Sequence, residues 1–162
     1  MKLNLREIIE IPGGSVPFAQ ELDTALLDFP SVRAYTAPIT AEGKVVNTAG
    51  ILTLQGKLHA QMLCVCDRCG AEFPRTVVLD LHADITADAQ DDDPEVFTLD
   101  GDWLDVDEVL STCFILSMDT KCLCRPDCAG LCDRCGANLI LGPCKCQKPR
   151  DPRMAVLEQL LD

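Results

Sequence analysis

The alternation of apolar and polar residues predicts a mainly β-stranded body. Residues 75–86 alternate most clearly, with five apolar side chains on one face of a strand: Val77, Leu79, Leu81, Ala83 and Ile85. Two earlier runs, Lys44 to Thr48 and Ile51 to Cys64, also favour strands. Glycines at positions 50 and 56 indicate bends or bulges there.

The strand over 75–86 has a natural partner in the run that ends at Cys64 to Cys66. The intervening turn would carry Cys66-Asp67-Arg68-Cys69-Gly70. We therefore expect a β-hairpin with a CxxC motif at its tip. Residues 3–10 have ambiguous spacing, which we interpret as a short strand.

Helical spacing appears after an acidic interruption. The segment 87–102 contains Asp91-Asp92-Asp93-Pro94, which predicts an exposed loop. Leu104 to Leu110 then opens a helix, with acidic residues in its first turn where the helix dipole favours them. Its predicted buried side consists of Val106, Val109, Leu110, Cys113, Phe114 and Leu116. A last short helix is expected from Asp151-Pro152-Arg153 onward.

These elements predict an α+β fold. We expect an antiparallel β-sheet or partial barrel with a few helices and a small C-terminal zinc-ribbon-like module. The proposed division is an acidic α+β body over 1–120 that includes the CxxC hairpin, a Cys-rich zinc module over 121–150, and the short helix over 151–162.

Charge divides the chain in the same place. Residues 1–120 carry 7 Lys and Arg against 21 Asp and Glu, a net charge of −14, whereas residues 121–162 carry 7 against 5, or +2. The acidic body would repel nucleic-acid phosphates and suits a basic protein partner better. A DNA-binding transcription factor would need a basic domain that this chain lacks.

Eleven cysteines favour metal binding over a disulfide framework. The N-terminus has no signal-peptide pattern and no run is long and apolar enough to span a bilayer, so we expect a cytoplasmic protein whose closely spaced cysteines hold metal. The C-terminal motifs are Cys124-x3-Cys128, Cys132-x2-Cys135-Gly136 and Cys144-x-Cys146.

A structural zinc ion is the cofactor that these motifs predict. Cys132 and Cys135 are the firmest ligands, because a CxxC followed by glycine lets two thiolates converge on one ion. The preferred companions are Cys144 and Cys146, reached after a short strand over Leu139 to Leu141. Cys124 and Cys128 remain alternative ligands.

The Cys66 and Cys69 pair permits several interpretations. It could complete a second metal site, form a structural turn, or act as a thiol redox pair. The redox alternative needs the first cysteine at a helix N-terminus, whereas predicted strands flank this motif. Of the other cysteines, Cys64 is an optional ligand and Cys113 a buried small hydrophobe.

Motifs that would indicate an enzyme are missing from the sequence. His59 and His82 are isolated and flank predicted strands, so we expect surface or hydrogen-bonded histidines and no catalytic or ligating role. No Ser-His-Asp arrangement, phosphate-binding loop or dinucleotide-binding glycine motif occurs. The sequence therefore predicts a protein that is not an enzyme and has no small-molecule substrate.

Four segments together resemble the YceD family of large ribosomal RNA subunit accumulation proteins. They are Cys66 to Cys69, Leu104 to Glu108, Cys124 to Leu139 and Asp151 to Leu157. The chain departs from the family pattern at Gly70, usually Leu, and at Asp119 and Cys122, both usually Pro.

This resemblance implies a bacterial, cytoplasmic ribosome-assembly factor needed for large-subunit ribosomal RNA to accumulate. It implies no catalytic residue. The implied partner is large-subunit ribosomal RNA or a basic large-subunit ribosomal protein, without membrane association. By the same resemblance, Arg68 and Arg153 are the residues expected to contact the partner.

Overall fold

A computed structural model describes residues 1–86 and 96–146. Over these ranges the chain forms eight strands and two α-helices, in mixed order along the sequence. The strands are β1 (Lys2–Asn4), β2 (Ser15–Leu22), β3 (Val32–Tyr35), β4 (Ile39–Thr48), β5 (Ile51–Val65), β6 (Glu72–Thr86), β7 (Val96–Thr98) and β8 (Trp103–Asp105). The helices are α1 (Arg6–Ile9) and α2 (Val106–Ser117), and a 3₁₀ turn spans Thr24–Leu26.

The main sheet is open and has the order β2-β4-β5-β6-β7. Its pairs are antiparallel except β6 with β7, which run parallel. Strand β5 pairs with β4 along its first half and with β3 near its end. A separate antiparallel pair joins β1 to β8. The α+β class with an antiparallel sheet is thus confirmed, and of the two predicted forms the open sheet is the one observed.

The core lies between the sheet and α2. Alternate residues of β5 are buried, as the sequence pattern predicts, and Leu54 and Leu58 are fully inaccessible. Helix α2 contributes Phe114, whose ring packs edge-to-face on Phe29 with centroids 5.9 Å apart. Leu116, predicted on the buried side, is instead 61% exposed, so that part of the prediction is wrong.

Asn47 is a buried polar residue that ties α1 to the sheet. Its side-chain amide donates to the carbonyl oxygens of Ile8 and Ile9 at 2.7 and 2.9 Å. Its side-chain oxygen accepts from the backbone N–H of Gly50 at 2.8 Å, in the turn between β4 and β5. One side chain therefore bonds three backbone groups, two at the end of α1 and one in the β4–β5 turn.

Several local predictions need correction. Residues 3–10 form β1 and then α1, rather than one short strand. The predicted loop 87–102 contains β7, and β8 precedes α2, which begins at Val106 with Asp105 as its N-cap. Gly56 lies in unbroken register opposite Gly43, so no bulge occurs there.

The segment after α2 contains little regular structure. From Met118 to Cys146 the backbone forms turns and one isolated bridge, between Leu131 and Asn138, so the predicted strand over Leu139 to Leu141 is absent. The acidic run Asp91 to Pro94, the helix expected over 151–162 and Arg153 lie outside the described residues. Neither described helix has the length and hydropathy needed to cross a membrane.

Candidate metal centres

The tip of the β5–β6 hairpin is a tight CxxC turn. The backbone N–H of Cys66 donates to the carbonyl of Ala71 at 2.9 Å, and the N–H of Gly70 donates to the carbonyl of Cys66 at 2.8 Å. Gly70 has a φ of +69°, which places it in the left-handed region where glycine is favoured. These bonds turn the chain so that both thiols face the same side of the hairpin.

A second CxxC turn repeats this backbone geometry in the C-terminal segment. Cys132 N–H donates to the carbonyl of Ala137 at 2.8 Å, and Gly136 N–H donates to the carbonyl of Cys132 at 2.9 Å. Gly136 has a φ of +68°. Two separate segments therefore form the same Cys-x-x-Cys-Gly turn with matching hydrogen bonds.

The hairpin turn gathers four cysteines that are distant in sequence. The hairpin cluster consists of Cys66, Cys69, Cys124 and Cys128, with all four sulfur atoms within 4.8 Å of one another. Individual Sγ–Sγ distances are 3.7 Å for Cys66 with Cys128 and 3.8 Å for Cys69 with Cys124. Three of the four residues are buried, and Phe73, Leu123 and Ile140 pack around them.

The second turn belongs to the four cysteines that their sequence spacing favoured as zinc ligands. The C-terminal cluster consists of Cys132, Cys135, Cys144 and Cys146, again with the sulfur atoms within 4.8 Å of one another. The Sγ atoms of Cys132 and Cys144 lie 3.4 Å apart. This cluster is more accessible, since Cys135 is exposed and only Cys132 is buried.

Both clusters have the donor chemistry and spacing of a four-thiolate metal site. Sulfur atoms about 2.3 Å from a tetrahedral zinc ion lie about 3.8 Å apart, because a tetrahedral edge is about 1.63 times the centre-to-corner distance. The distances between 3.4 and 3.8 Å agree with this value. Every cysteine in both clusters is a free thiol.

The thiols within each cluster differ in their ease of ionisation. Burial alone would raise the pKa of Cys66, but three backbone N–H groups donate to its sulfur and lower the pKa to about 6; they belong to Cys124, Arg68 and Cys69. In the C-terminal cluster the backbone N–H groups of Cys135 and Arg134 lower the pKa of Cys132 to about 7.

Other members of the clusters resist ionisation. Burial and the neighbouring Cys66 and Cys128 thiols raise the pKa of Cys124 to about 12. The Cys135 thiol and burial raise the pKa of Cys146 to about 12. Each cluster therefore gathers groups whose negative charges repel one another, and a bound divalent cation would offset that repulsion.

The two residues inside the hairpin CxxC hold the C-terminal segment in place. The Asp67 carboxylate accepts from the backbone N–H of Cys122 at 2.6 Å, and the Asp67 N–H donates to the Cys122 carbonyl at 2.9 Å. Arg68 Nη1 donates to the carbonyl of Cys128 at 2.9 Å, and the Arg68 carbonyl accepts from Leu131 at 3.1 Å. Sequence reasoning missed Asp67, because its role depends on a segment 55 residues away.

The remaining cysteines and histidines lie outside both clusters. Cys64, the optional ligand, is completely buried in the main core, and Cys122 is 2% exposed beside it. Arg75 Nη1 contacts the Cys122 sulfur at 3.8 Å, and its guanidinium also pairs with Asp119. His59 and His82 are exposed, so of the two expected environments the surface position is the one observed for both.

Known proteins provide an independent comparison. Residues 54–161 match the family model described as large ribosomal RNA subunit accumulation protein YceD. Uncharacterized proteins of Mycobacterium bovis and Mycobacterium tuberculosis are each 28% identical over 117 residues, covering 69% of this chain and 56% of the relative.

A more distant relative comes from a plant. The large ribosomal RNA subunit accumulation protein YCED homolog 1, chloroplastic, of Zea mays is 24% identical over 147 residues, covering 70% of this chain and 50% of the relative. The chain thus spans about half the length of the curated relatives that it matches. No solved structure matches it.

Proposed function

The chain belongs to the YceD family, and from this premise we propose that it is a non-enzymatic ribosome-biogenesis factor that supports accumulation of large-subunit ribosomal RNA. The observation that supports this most directly is the family match over residues 54–161. Its site of action would be the bacterial cytoplasm, where ribosomal subunits are assembled.

The proposal includes a structural zinc ion held by Cys132, Cys135, Cys144 and Cys146. Four sulfur donors with near-tetrahedral spacing suit zinc, which is bound by thiolates and has no redox chemistry of its own. A closed shell of four thiolates leaves no position for an activated water. The ion would hold the C-terminal turns together and would not take part in a reaction.

A basic protein is the partner that charge favours for the acidic body. The net charge of −14 over residues 1–120 opposes close approach to RNA phosphates. Arg125 adds positive charge next to Cys124 of the hairpin cluster, and Arg134 and Lys145 add it next to ligands of the C-terminal cluster. A four-thiolate zinc site carries two negative charges, however, which offsets part of that excess. We therefore propose that the body binds a basic large-subunit ribosomal protein, with contact to ribosomal RNA as the alternative.

Arg68 and Arg153 are the proposed contact residues. Arg68 is exposed at the hairpin tip, and its guanidinium has five N–H donors, of which one N–H group of Nη1 binds the Cys128 carbonyl. A guanidinium held in this way is positioned to bind a carboxylate, a phosphate or a carbonyl of a partner.

Affinity purification from bacterial cells tests the partner assignment. The tagged full chain is recovered at low and at high salt, with and without ribonuclease, and bound RNA and proteins are identified. Recovery of large-subunit ribosomal proteins that resists ribonuclease supports the protein partner, whereas recovery that ribonuclease abolishes supports RNA. Recovery of neither would contradict both versions.

One observation favours a second candidate, a thiol redox protein using Cys66 and Cys69. The pKa of Cys66 is lowered to about 6, as expected for a reactive thiol. Against it, Cys66 is only 1% exposed and its sulfur lies 3.7 Å from that of Cys128. A fast-reacting thiol at neutral pH that disappears in Cys66→Ser would support this candidate, and its absence would exclude it.

A further inference from the structure

We propose that the hairpin cluster is a second structural zinc site, formed by Cys66, Cys69, Cys124 and Cys128, that fastens the β5–β6 hairpin to the segment after α2. The cluster joins Cys66 and Cys69, for which the sequence indicated no further ligands, to Cys124 and Cys128, which it indicated as alternative ligands of the C-terminal site. Because the ion count is a property of the purified chain, the proposal stands apart from the ribosomal function.

The four sulfur atoms of the hairpin cluster are arranged as metal ligands. They come from two segments separated by more than 50 residues, yet all lie within 4.8 Å of one another. The Sγ–Sγ distances of 3.7 and 3.8 Å match a tetrahedral zinc shell, and they are far longer than the roughly 2.05 Å of a disulfide bond. The four sulfur atoms are thus free thiols spaced as ligands of a shared ion.

The hairpin cluster and the C-terminal cluster contain the same backbone turn. Cys66 to Ala71 and Cys132 to Ala137 make the same two backbone hydrogen bonds, with glycine φ values of +69° and +68°. In both, the glycine after the second cysteine lets the backbone bend while the two thiols stay on the inner side. In the C-terminal cluster this turn presents two of the four sulfur atoms, and in the hairpin cluster it presents two in the same way.

Little regular structure holds the chain around the hairpin cluster. From Met118 to Cys146 the backbone has no helix and no strand beyond one isolated bridge. Phe73, Leu123 and Ile140 pack on the cluster as partly buried side chains, and of these Phe73 also packs against the main core. Short segments of this kind commonly depend on metal binding for their folded form.

Contacts around the cluster are consistent with a fixed ligand shell. Gly130 has a φ of +75°, and a Cβ there would lie 3.0 Å from the Arg68 carbonyl oxygen. The backbone of the C-terminal segment therefore passes directly against the hairpin tip. Asp67 and Arg68, between the two hairpin cysteines, hydrogen-bond that segment and set the approach of Cys124 and Cys128.

Metal stoichiometry of the purified full chain tests the proposal. Native mass spectrometry combined with elemental analysis should give two zinc ions per chain for the unmodified protein. Cys128→Ser and Cys132→Ser should each retain one ion, and the double variant should retain none. Cys113→Ser, which removes a thiol outside both clusters, should retain two.

Cobalt substitution distinguishes the absence of a metal site from loss of metal through misfolding. In Cys132→Ser/Cys135→Ser, where the hairpin cluster is intact, one Co²⁺ per chain should give the absorption of a tetrahedral four-thiolate site. Circular dichroism confirms that the variant is folded. A folded variant with no cobalt–thiolate absorption, or an unmodified chain with a single zinc ion that only C-terminal cluster variants lose, would overturn the proposal.

Discussion

Single glycines determine the shape of both CxxC turns. Gly70 and Gly136 adopt positive φ, and a Cβ added at either would meet no atom within 4 Å. Their requirement for glycine is therefore conformational and owes nothing to crowding. This explains why glycine suits position 70 in this chain.

Substitution of Gly70 should reveal that conformational cost. Gly70→Ala should lower the free energy of unfolding by about 1–2 kcal/mol, since alanine disfavours the left-handed region. Gly70→Asn should lower it by less, because asparagine tolerates this conformation. Denaturant unfolding of the zinc-loaded chain measures both, and equal losses would contradict the argument.

Arg68 should affect partner binding more than metal content. Arg68→Gln removes the positive charge at the hairpin tip and the bond to the Cys128 carbonyl, so we expect several-fold weaker recovery of the partner from cells. The four cysteine ligands and the Asp67 bond to Cys122 remain, so both metal ions should be retained. Arg6→Gln, at an arginine whose side chain is 81% exposed on α1, removes the same charge elsewhere and serves as the control. Equal loss in both variants would mean that only net charge matters.

Among the secondary-structure elements, β4 and β5 make a close backbone contact at a glycine pair. Gly43 lies opposite Gly56, and a Cβ on Gly43 would stand 2.2 Å from the carbonyl oxygen of Gln55. A Cβ on Gly56 would stand 2.3 Å from the carbonyl oxygen of Glu42. Backbone atoms cause both clashes, so the strands would have to separate to accept a side chain.

Gly43→Ala should therefore destabilise the sheet. We expect a loss of roughly 1–3 kcal/mol in the free energy of unfolding, the usual range for overpacking a close contact. Lys44→Ala, at the exposed neighbouring position, should change it by less than about 0.5 kcal/mol. Thermal or denaturant unfolding measures the difference, and a Gly43→Ala protein as stable as Lys44→Ala would refute the close approach.

Local patterns predicted the elements whose faces differ most in polarity. The long hairpin of β5 and β6 has alternating burial, and α2 begins with acidic residues after a capping aspartate, so both could be predicted from spacing. Strand β2 was missed although its burial alternates, because Pro17 and the inward-facing Gln20 interrupt the apolar pattern. Strand β3 was missed because it has only four residues. Leu116 was misplaced because helical periodicity cannot indicate which part of a helix extends beyond the core.

At the scale of the whole molecule, the cysteines organise the end of the described chain. Their local spacing identified Cys132, Cys135, Cys144 and Cys146 as a set, which the structure brings together. Sequence spacing could not pair Cys66 and Cys69 with Cys124 and Cys128. That association depends on the position of the chain after the end of α2. Long-range proximity of this kind is a property of the fold.

Removal of metal should expose both clusters. With zinc at each, the eight cluster thiols should react slowly with a thiol reagent, and a strong chelator should make all eight accessible. Counting rapidly modified cysteines by mass spectrometry before and after chelation measures this change. Eight fast-reacting thiols before chelation would contradict metal binding at both clusters.

The central claim, support for large-subunit ribosomal RNA accumulation, is tested most directly in a bacterium depleted of its own YceD-family protein. The ratio of large- to small-subunit ribosomal RNA is measured with this chain, with Cys113→Ser, or with no replacement. We expect a reduced ratio without replacement and restoration by both versions of the chain. If depletion lowers the ratio and the folded, expressed chain does not restore it, the proposed function is contradicted.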